Sequence, residues 1–159
     1  MNSRWNYAKS APGAYKAMDA LETYLRTSGL EESLLHLVRL RASQINGCAY
    51  CIDMHWKDLR ALGEGEQRLY SLDSWRECPY YTERERAALA WTEAVTLIAE
   101  SRAPDAVYEQ VRAHFNDREL ADLTLTIATI NAWNRLSISA RVKPGMYKPA
   151  QRTPAQAMD

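Results

Sequence analysis

Residues 46–55 read Asn46-Gly47-Cys48-Ala49-Tyr50-Cys51-Ile52-Asp53-Met54-His55 and combine a turn with three reactive side chains. Asn and Gly tolerate the left-handed backbone that stops a helix. Asn46-Gly47 therefore predicts the end of one helix, with the next one starting near Cys48. Residues three and four apart on a helix share a face, so Cys48, Cys51 and His55 are expected on one face of this second helix.

This arrangement favours thiol redox chemistry. A thiol near a helix N-terminus has a lowered pKa, because the helix dipole and the free amides stabilise its thiolate. An imidazole one turn away can accept a thiol proton, and two thiols one turn apart can close a disulfide. Proximity to His55 favours Cys51 as the nucleophile and Cys48 as the resolving thiol, whereas the dipole alone favours Cys48. The residues by themselves leave both assignments open.

The sequence on either side of this segment predicts helices and no sheet. Apolar residues recur at helical spacing almost throughout the chain. Thr82 with Glu85, and Asn116 with Glu119, have the capping-box pattern that starts a helix. The predicted helices cover about residues 13–27, 31–46, 48–62, 66–72, 82–99, 104–114 and 116–141. We expect one helical domain over residues 13–142, an N-terminal arm over 1–12 and a C-terminal tail over 143–159.

The composition is that of a globular domain. The chain has 159 residues, 47% of them hydrophobic, and 20 basic residues balance 20 acidic ones. This excludes wholesale disorder and disfavours nucleic acid or an anionic membrane as the main partner. No stretch approaches the roughly 20 apolar residues of a membrane span, and the first residues do not resemble a secretory signal. Three cysteines without such a signal favour a reducing, cytoplasmic location.

The segment also carries a family resemblance. Together with the preceding Leu40-Arg41-Ala42-Ser43-Gln44-Ile45, it resembles the core of the AhpD-like alkylhydroperoxidases of the carboxymuconolactone decarboxylase superfamily. Three further stretches are similar to the same group: residues 81–94, Trp75-Arg76-Glu77 and Asn131-Ala132-Trp133-Asn134-Arg135. The resemblance covers about residues 15–142.

The resemblance implies a fold, an assembly and an activity. The fold would be all-α, a single-domain bundle of about six to seven helices assembled as a trimer or hexamer. The activity would be the reduction of hydroperoxides, with Cys51 attacking the peroxide, Cys48 resolving and His55 relaying the proton. The resemblance also implies an external dithiol or lipoylated protein as reductant. No cofactor or metal is expected.

Two positions depart from the family pattern. His36 stands twelve residues before Cys48, where the family usually has Glu, and Tyr50 stands where its best-studied branch has a second His between the cysteines. His36 could still pass a proton. Glu93 could also replace the missing carboxylate, since a Glu on an apolar helix needs a partner if it is buried.

Three other interpretations remain open at this point. Cys48, Cys51 and His55 could bind zinc with Cys78 as a fourth ligand. The chain could be a non-redox enzyme of the same superfamily, a decarboxylase, although that branch need not carry the cysteine pair. It could also be a protein whose cysteines sense oxidant without turnover.

Overall fold

The computed structural model describes residues 2–150, and this range contains helices and no strand. The helices are α1 (Tyr7–Ser10), α2 (Pro12–Arg26), α3 (Glu32–Asn46), α4 (Ala49–Ala61), α5 (Glu66–Tyr70), a 3-10 helix (Leu72–Glu77), α6 (Glu83–Thr96), α7 (Ile98–Ser101), α8 (Asp105–Arg112) and α9 (Asp117–Ala140). The all-α prediction is confirmed. The segments that the sequence missed, α1, the 3-10 helix and α7, are too short to show a helical repeat.

The two predicted capping boxes are present. The Thr82 hydroxyl accepts from the amide of Glu85 at 3.2 Å, and the Glu85 carboxylate accepts from the amide of Thr82 at 2.8 Å. Asn116 and Glu119 form the same reciprocal pair at 3.0 and 2.9 Å. Each pair satisfies two amides that have no partner within their helix, which fixes where α6 and α9 begin.

The long helix α9 lies at the centre of the fold and packs against α2, α3, α4, α6 and α8. Its apolar side is fully buried at Leu123 and Ile127. Its polar side is also buried, at Thr126, Thr129 and Asn134. The threonine hydroxyls donate to carbonyls one turn earlier, at 2.8 Å for Thr126 and 2.7 Å for Thr129. These bonds let a helix with few charges be buried on more than one side.

A tight turn joins α3 to α4. Gly47 has φ of +68°, a left-handed conformation that ends α3. The amide of Cys48 donates to the carbonyl of Ser43 at 3.0 Å. Cys48 is the N-cap residue of α4 and Cys51 lies in its first turn. The turn thus directs both thiols into the interior.

The segments before and after the predicted domain both contact the helix bundle. The amide of Arg4 donates to the carbonyl of Ala140, at the end of α9, at 2.9 Å. The tail was predicted to be an arm or disordered, and two residues of its described part contact α4. There the amide of Gly145 donates to Asp53 at 3.0 Å and the Tyr147 hydroxyl donates to Asp58 at 2.7 Å. Tail residues 151–159 lie outside the described range.

The fold also bears on the membrane prediction. None of the helices between residues 2 and 150 has the length and apolarity that crossing a bilayer requires.

Candidate active site

The two cysteines of the motif lie side by side in the core. Cys48 and Cys51 are each 1% exposed and neither forms a disulfide. They pack with Ala42 of α3 and Ile130 of α9. Three helices therefore enclose the pair, and the predicted placement of both thiols on one face of α4 agrees with the structure.

The pKa values of the two thiols are shifted in opposite directions. The pKa of Cys48 is lowered to about 7, first because the Cys51 thiol can donate to its sulfur; burial opposes this, and Asn134 and Ser137 of α9 add to the lowering. The pKa of Cys51 is raised, first by the same interaction with Cys48 and then by burial. The pair therefore loses its first proton near neutral pH, and the interaction with Cys51 favours the loss of that proton from Cys48.

A cavity of about 940 Å³ borders this pair. Cys51 lies in its wall, as do His36, His55 and Asp58, whereas Cys48 is not one of its lining residues. The aromatic side chains in the wall are Tyr7, Tyr15, Tyr50, Trp133 and Tyr147. Access therefore favours Cys51, although acidity favours Cys48. The structure thus favours Cys51 through its place in the cavity wall and lowers the pKa of Cys48 chiefly through Cys51. Neither observation is the ground on which the sequence favoured that cysteine.

The two histidines of the motif region are in contact. Nδ1 of His36 on α3 lies 3.2 Å from Nδ1 of His55 on α4. The Asp58 carboxylate lies 3.6 Å from the first and 3.8 Å from the second of these nitrogens. Burial, then the charges of His36 and Arg39, lower the pKa of His55 well below its usual value. His55 is therefore neutral at physiological pH, and the residue that departs from the family pattern, His36, is its partner.

His55 does not form the hydrogen bond to Cys51 that the helical spacing suggested. Its Nδ1 faces His36, and its buried Nε2 has no hydrogen-bond partner among the residues that the structure describes. Spacing along α4 places Cys51 and His55 on one face. The direction of the imidazole is set by its neighbours, His36 on α3 and Asp58 one turn further along α4.

Glu93 lies away from the cysteines, where it is bonded to Arg41, Trp75 and Arg76. Its Oε1 accepts from Arg41 at 2.7 and 2.9 Å and from the Trp75 indole at 2.9 Å, and Oε2 accepts from Arg76. Burial acts to raise its pKa, but the bonds from Trp75, Arg76 and Arg41 outweigh it, and the pKa of Glu93 is lowered. Glu93 does not line the cavity of Cys51 and His55. The structure therefore joins α3 and α6 through this carboxylate and does not bring it to the thiols.

The zinc set that the sequence left open is not assembled in residues 2–150. The Cys78 sulfur lies 3.5 Å from the carbonyl of Ser74, and Cys78 packs against a different core cluster from that of Cys48 and Cys51. The cluster of possible ligand atoms that the described residues do form consists of His36, His55 and Asp58.

Several residues of the site carried no clear sequence signal. Asn134 and Ser137 of α9 interact with the thiols, and Tyr7 of α1 lines the cavity beside them. These residues are far from the two cysteines in the sequence, and only the folded structure brings them close. Asp58 could have been found, because it lies three residues after His55 and so shares its face of α4. Tyr147 could not, since nothing in the tail predicts that it packs on α4.

The family comparison covers the segments just described. The sequence model of the Carboxymuconolactone decarboxylase family matches residues 12–94, which include both cysteines and both histidines of the site. The chain is an AhpD-like member of this family. It is also 45% identical over 139 residues to the uncharacterised protein YdfG of Bacillus subtilis (strain 168), covering 87% of this chain and 95% of YdfG.

Solved structures give the same family assignment. Atu0492 of Agrobacterium tumefaciens, a protein of unknown function described as a candidate antioxidant defence protein AhpD, is 50% identical. It superposes with a TM-score of 0.88 over 92% of this chain and 100% of its own. The debrominase Bmp8 is 18% identical, with a TM-score of 0.74 over 87% of this chain and 74% of its own, and shares the fold alone. This AhpD-like fold therefore occurs in enzymes with different reactions.

Proposed function

We propose that this AhpD-like protein is a thiol-dependent peroxidase that reduces hydroperoxides with the Cys48–Cys51 pair. The observation that carries the proposal is the division of roles within the pair. The pKa of Cys48 is lowered to about 7, and Cys51 borders a cavity of about 940 Å³. A peroxidase of this type needs both an acidic thiol and an accessible sulfur.

The first step is attack by Cys51 on the peroxide. The Cys51 proton passes to the Cys48 thiolate, and the Cys51 sulfur attacks the terminal oxygen of the hydroperoxide. The O–O bond breaks, Cys51 becomes a sulfenic acid, and the leaving alkoxide takes up one proton to become an alcohol. Cys48 thus serves as the immediate base, a role that neither His55 nor His36 is positioned to perform through a direct bond to sulfur.

The second step is resolution. The Cys48 sulfur attacks the Cys51 sulfenic acid, an S–S bond forms, and hydroxide leaves and combines with the Cys48 proton to give water. Per turnover, one hydroperoxide is reduced to alcohol and water and one dithiol is oxidised to a disulfide. An external dithiol then restores the pair by thiol–disulfide exchange.

The histidine pair supplies the proton for the alkoxide in this scheme. His55 lines the same cavity as Cys51, and its contact with the half-buried His36 connects it toward solvent. Two predictions based on the family resemblance accompany the proposal: the reductant is a dithiol or a lipoylated protein, and the chain assembles as a trimer or hexamer.

Peroxide consumption with a dithiol reductant tests the proposal. Wild-type protein should consume an organic hydroperoxide for many turnovers. Cys51→Ser should lose this activity, since no thiol then borders the cavity. Cys48→Ser loses both the base and the resolving thiol, so it should be oxidised more slowly, once per chain at most, and then stop at a sulfenic acid, which mass spectrometry detects. Cys78→Ser is the matched control and should retain activity. Equal turnover in the wild type, Cys48→Ser and Cys51→Ser would refute the proposal.

The same measurement separates the other interpretations. An oxidant sensor would form the Cys48–Cys51 disulfide without steady-state turnover. A non-redox decarboxylase would act on its substrate equally well with both cysteines replaced by serine.

A further inference from the structure

A second constellation lies in the same cavity, beside the thiols and separate from them. It consists of Nδ1 of His36, Nδ1 of His55 and one carboxylate oxygen of Asp58. The three separations between these atoms are 3.2, 3.6 and 3.8 Å. We infer that this triad is a binding site for a divalent first-row transition-metal ion, for which Zn²⁺ is the test ligand.

The distances match a metal site. A point equidistant from the three atoms lies about 2.1 Å from each, and bonds from zinc to nitrogen and carboxylate oxygen measure about 2.0–2.2 Å. Two imidazoles and one carboxylate are also a donor set that first-row transition metals favour.

The surroundings orient the ligands. The Tyr147 hydroxyl donates to the other oxygen of Asp58 at 2.7 Å, which leaves the inward oxygen available. The second nitrogen of His36 lies 4.0 Å from the Glu32 carboxylate. A carboxylate beside an imidazole increases the basicity of that ligand. The Tyr147 hydroxyl fixes the orientation of Asp58, although the pKa of this carboxyl, which burial raises, is lowered by the bond that Tyr147 donates.

Charge also favours a cation. The acidic groups near the triad are Asp58 itself and Glu32, both close to His36. The nearby cation Arg39, which is paired with Glu22 at 2.8 Å, opposes a second positive charge, since after burial and the charge of His36 it helps to lower the pKa of His55. All three ligand residues line the cavity, which leaves a side of the ion open to water or a small ligand. Three protein ligands and one open position are the pattern of reactive zinc sites.

This inference goes beyond the proposed peroxidase and does not rest on its cysteine chemistry, although a bound ion would take the two Nδ1 atoms through which the proposed proton transfer runs. Titration of Zn²⁺ against a chromophoric chelator should show one ion per chain in the reduced Cys48→Ser/Cys51→Ser variant, which has no redox pair. Asp58→Asn and His36→Asn should each weaken binding about 100-fold or more, since each removes a ligand. Tyr147→Phe should weaken it about 10-fold through the orientation of Asp58.

His114 provides the matched control, because it is the third histidine of the chain and lies outside the cluster. His114→Asn should bind Zn²⁺ as the wild type does. Co²⁺ should give the visible bands of a four-coordinate ion without the intense thiolate charge-transfer band. Circular dichroism without metal should show that each variant is folded, and Zn²⁺ should raise the unfolding temperature of wild type but not of Asp58→Asn.

Three results would overturn the site. They are no binding by the wild type, loss of binding in the cysteine double variant, and unchanged binding in both Asp58→Asn and His36→Asn. None of them affects peroxide turnover by the cysteine pair, so the two proposals fail separately.

Discussion

At the scale of single residues, the opposite shifts in the pKa values of Cys48 and Cys51 give a direct prediction. One thiol should titrate near pH 7, because interaction with Cys51, Asn134 and Ser137 outweighs burial and lowers the pKa of Cys48 to about 7. The ultraviolet absorbance of the thiolate should therefore rise through a midpoint near that pH. Cys48→Ser should remove the transition, and Cys78→Ser should keep it. Titration of every thiol near about pH 8.5, as for free cysteine, would contradict the assignment.

The Cys48–Cys51 pair also makes stability depend on pH. The free energy of unfolding rises with pH over one range and falls over the next. Between about pH 7 and about pH 8.5, folded Cys48 has lost its proton while the unfolded thiols keep theirs, so the free energy of unfolding rises with pH. Above about pH 8.5 the unfolded chain loses both protons, while folded Cys51 keeps its own because Cys48 raises its pKa. The free energy of unfolding then falls.

The contribution of the pair to stability should therefore be largest near about pH 8.5. Urea unfolding of the wild type and of Cys48→Ser/Cys51→Ser below, at and above this pH measures it as a difference. If this difference in the free energy of unfolding only rose or only fell with pH, the pKa values of Cys48 and Cys51 would not be shifted in opposite directions.

At the scale of helices, the turn between α3 and α4 places the thiols. Gly47 has φ of +68°, and no atom lies within 4 Å of where a β-carbon would stand. Gly47→Ala should therefore destabilise through the backbone alone, by roughly 1–2 kcal/mol. The control is Gly13→Ala in α2, where the site is equally open and φ is ordinary. That change should stabilise by roughly 0.5–1 kcal/mol.

Urea unfolding of the two variants checks this contrast. If Gly47→Ala were as stable as Gly13→Ala, the left-handed turn would not be what separates α3 from α4.

At the scale of the whole molecule, one buried amide ties the turn to the central helix. Asn134 of α9 is fully buried, donates to the Ser43 hydroxyl at 3.1 Å and accepts from the Asn46 amide at 2.8 Å. Asn134→Ala should cost about 1–3 kcal/mol of stability, because it leaves buried polar groups without partners. It should also raise the pKa of Cys48, which the Asn134 side chain helps to lower.

Ser139→Ala, at an exposed position on the same helix, is the control and should change the free energy of unfolding by less than about 0.5 kcal/mol. Chemical denaturation and thiolate titration of both variants test the prediction. If Asn134→Ala lowered the free energy of unfolding but left the titration of Cys48 unchanged, Asn134 would have a packing role only.

Features that depend on neighbouring residues could be read from the chain itself. The capping boxes at Thr82 and Asn116, the turn at Gly47 and the common face of Cys48 and Cys51 follow from backbone geometry over a few residues. The same geometry gives the all-α class.

Features that depend on which helices meet required the folded molecule. His55 shares a face of α4 with Cys51, but its imidazole turns to His36 because α3 packs there. Glu93 is drawn into an ion pair with Arg41, and Tyr147 of the tail reaches Asp58. In these three cases the partners lie 19, 52 and 89 residues apart in the sequence. Helical spacing fixes the position of the α-carbon of a side chain, whereas the direction and the partners of the side chain are set by the elements that pack against it.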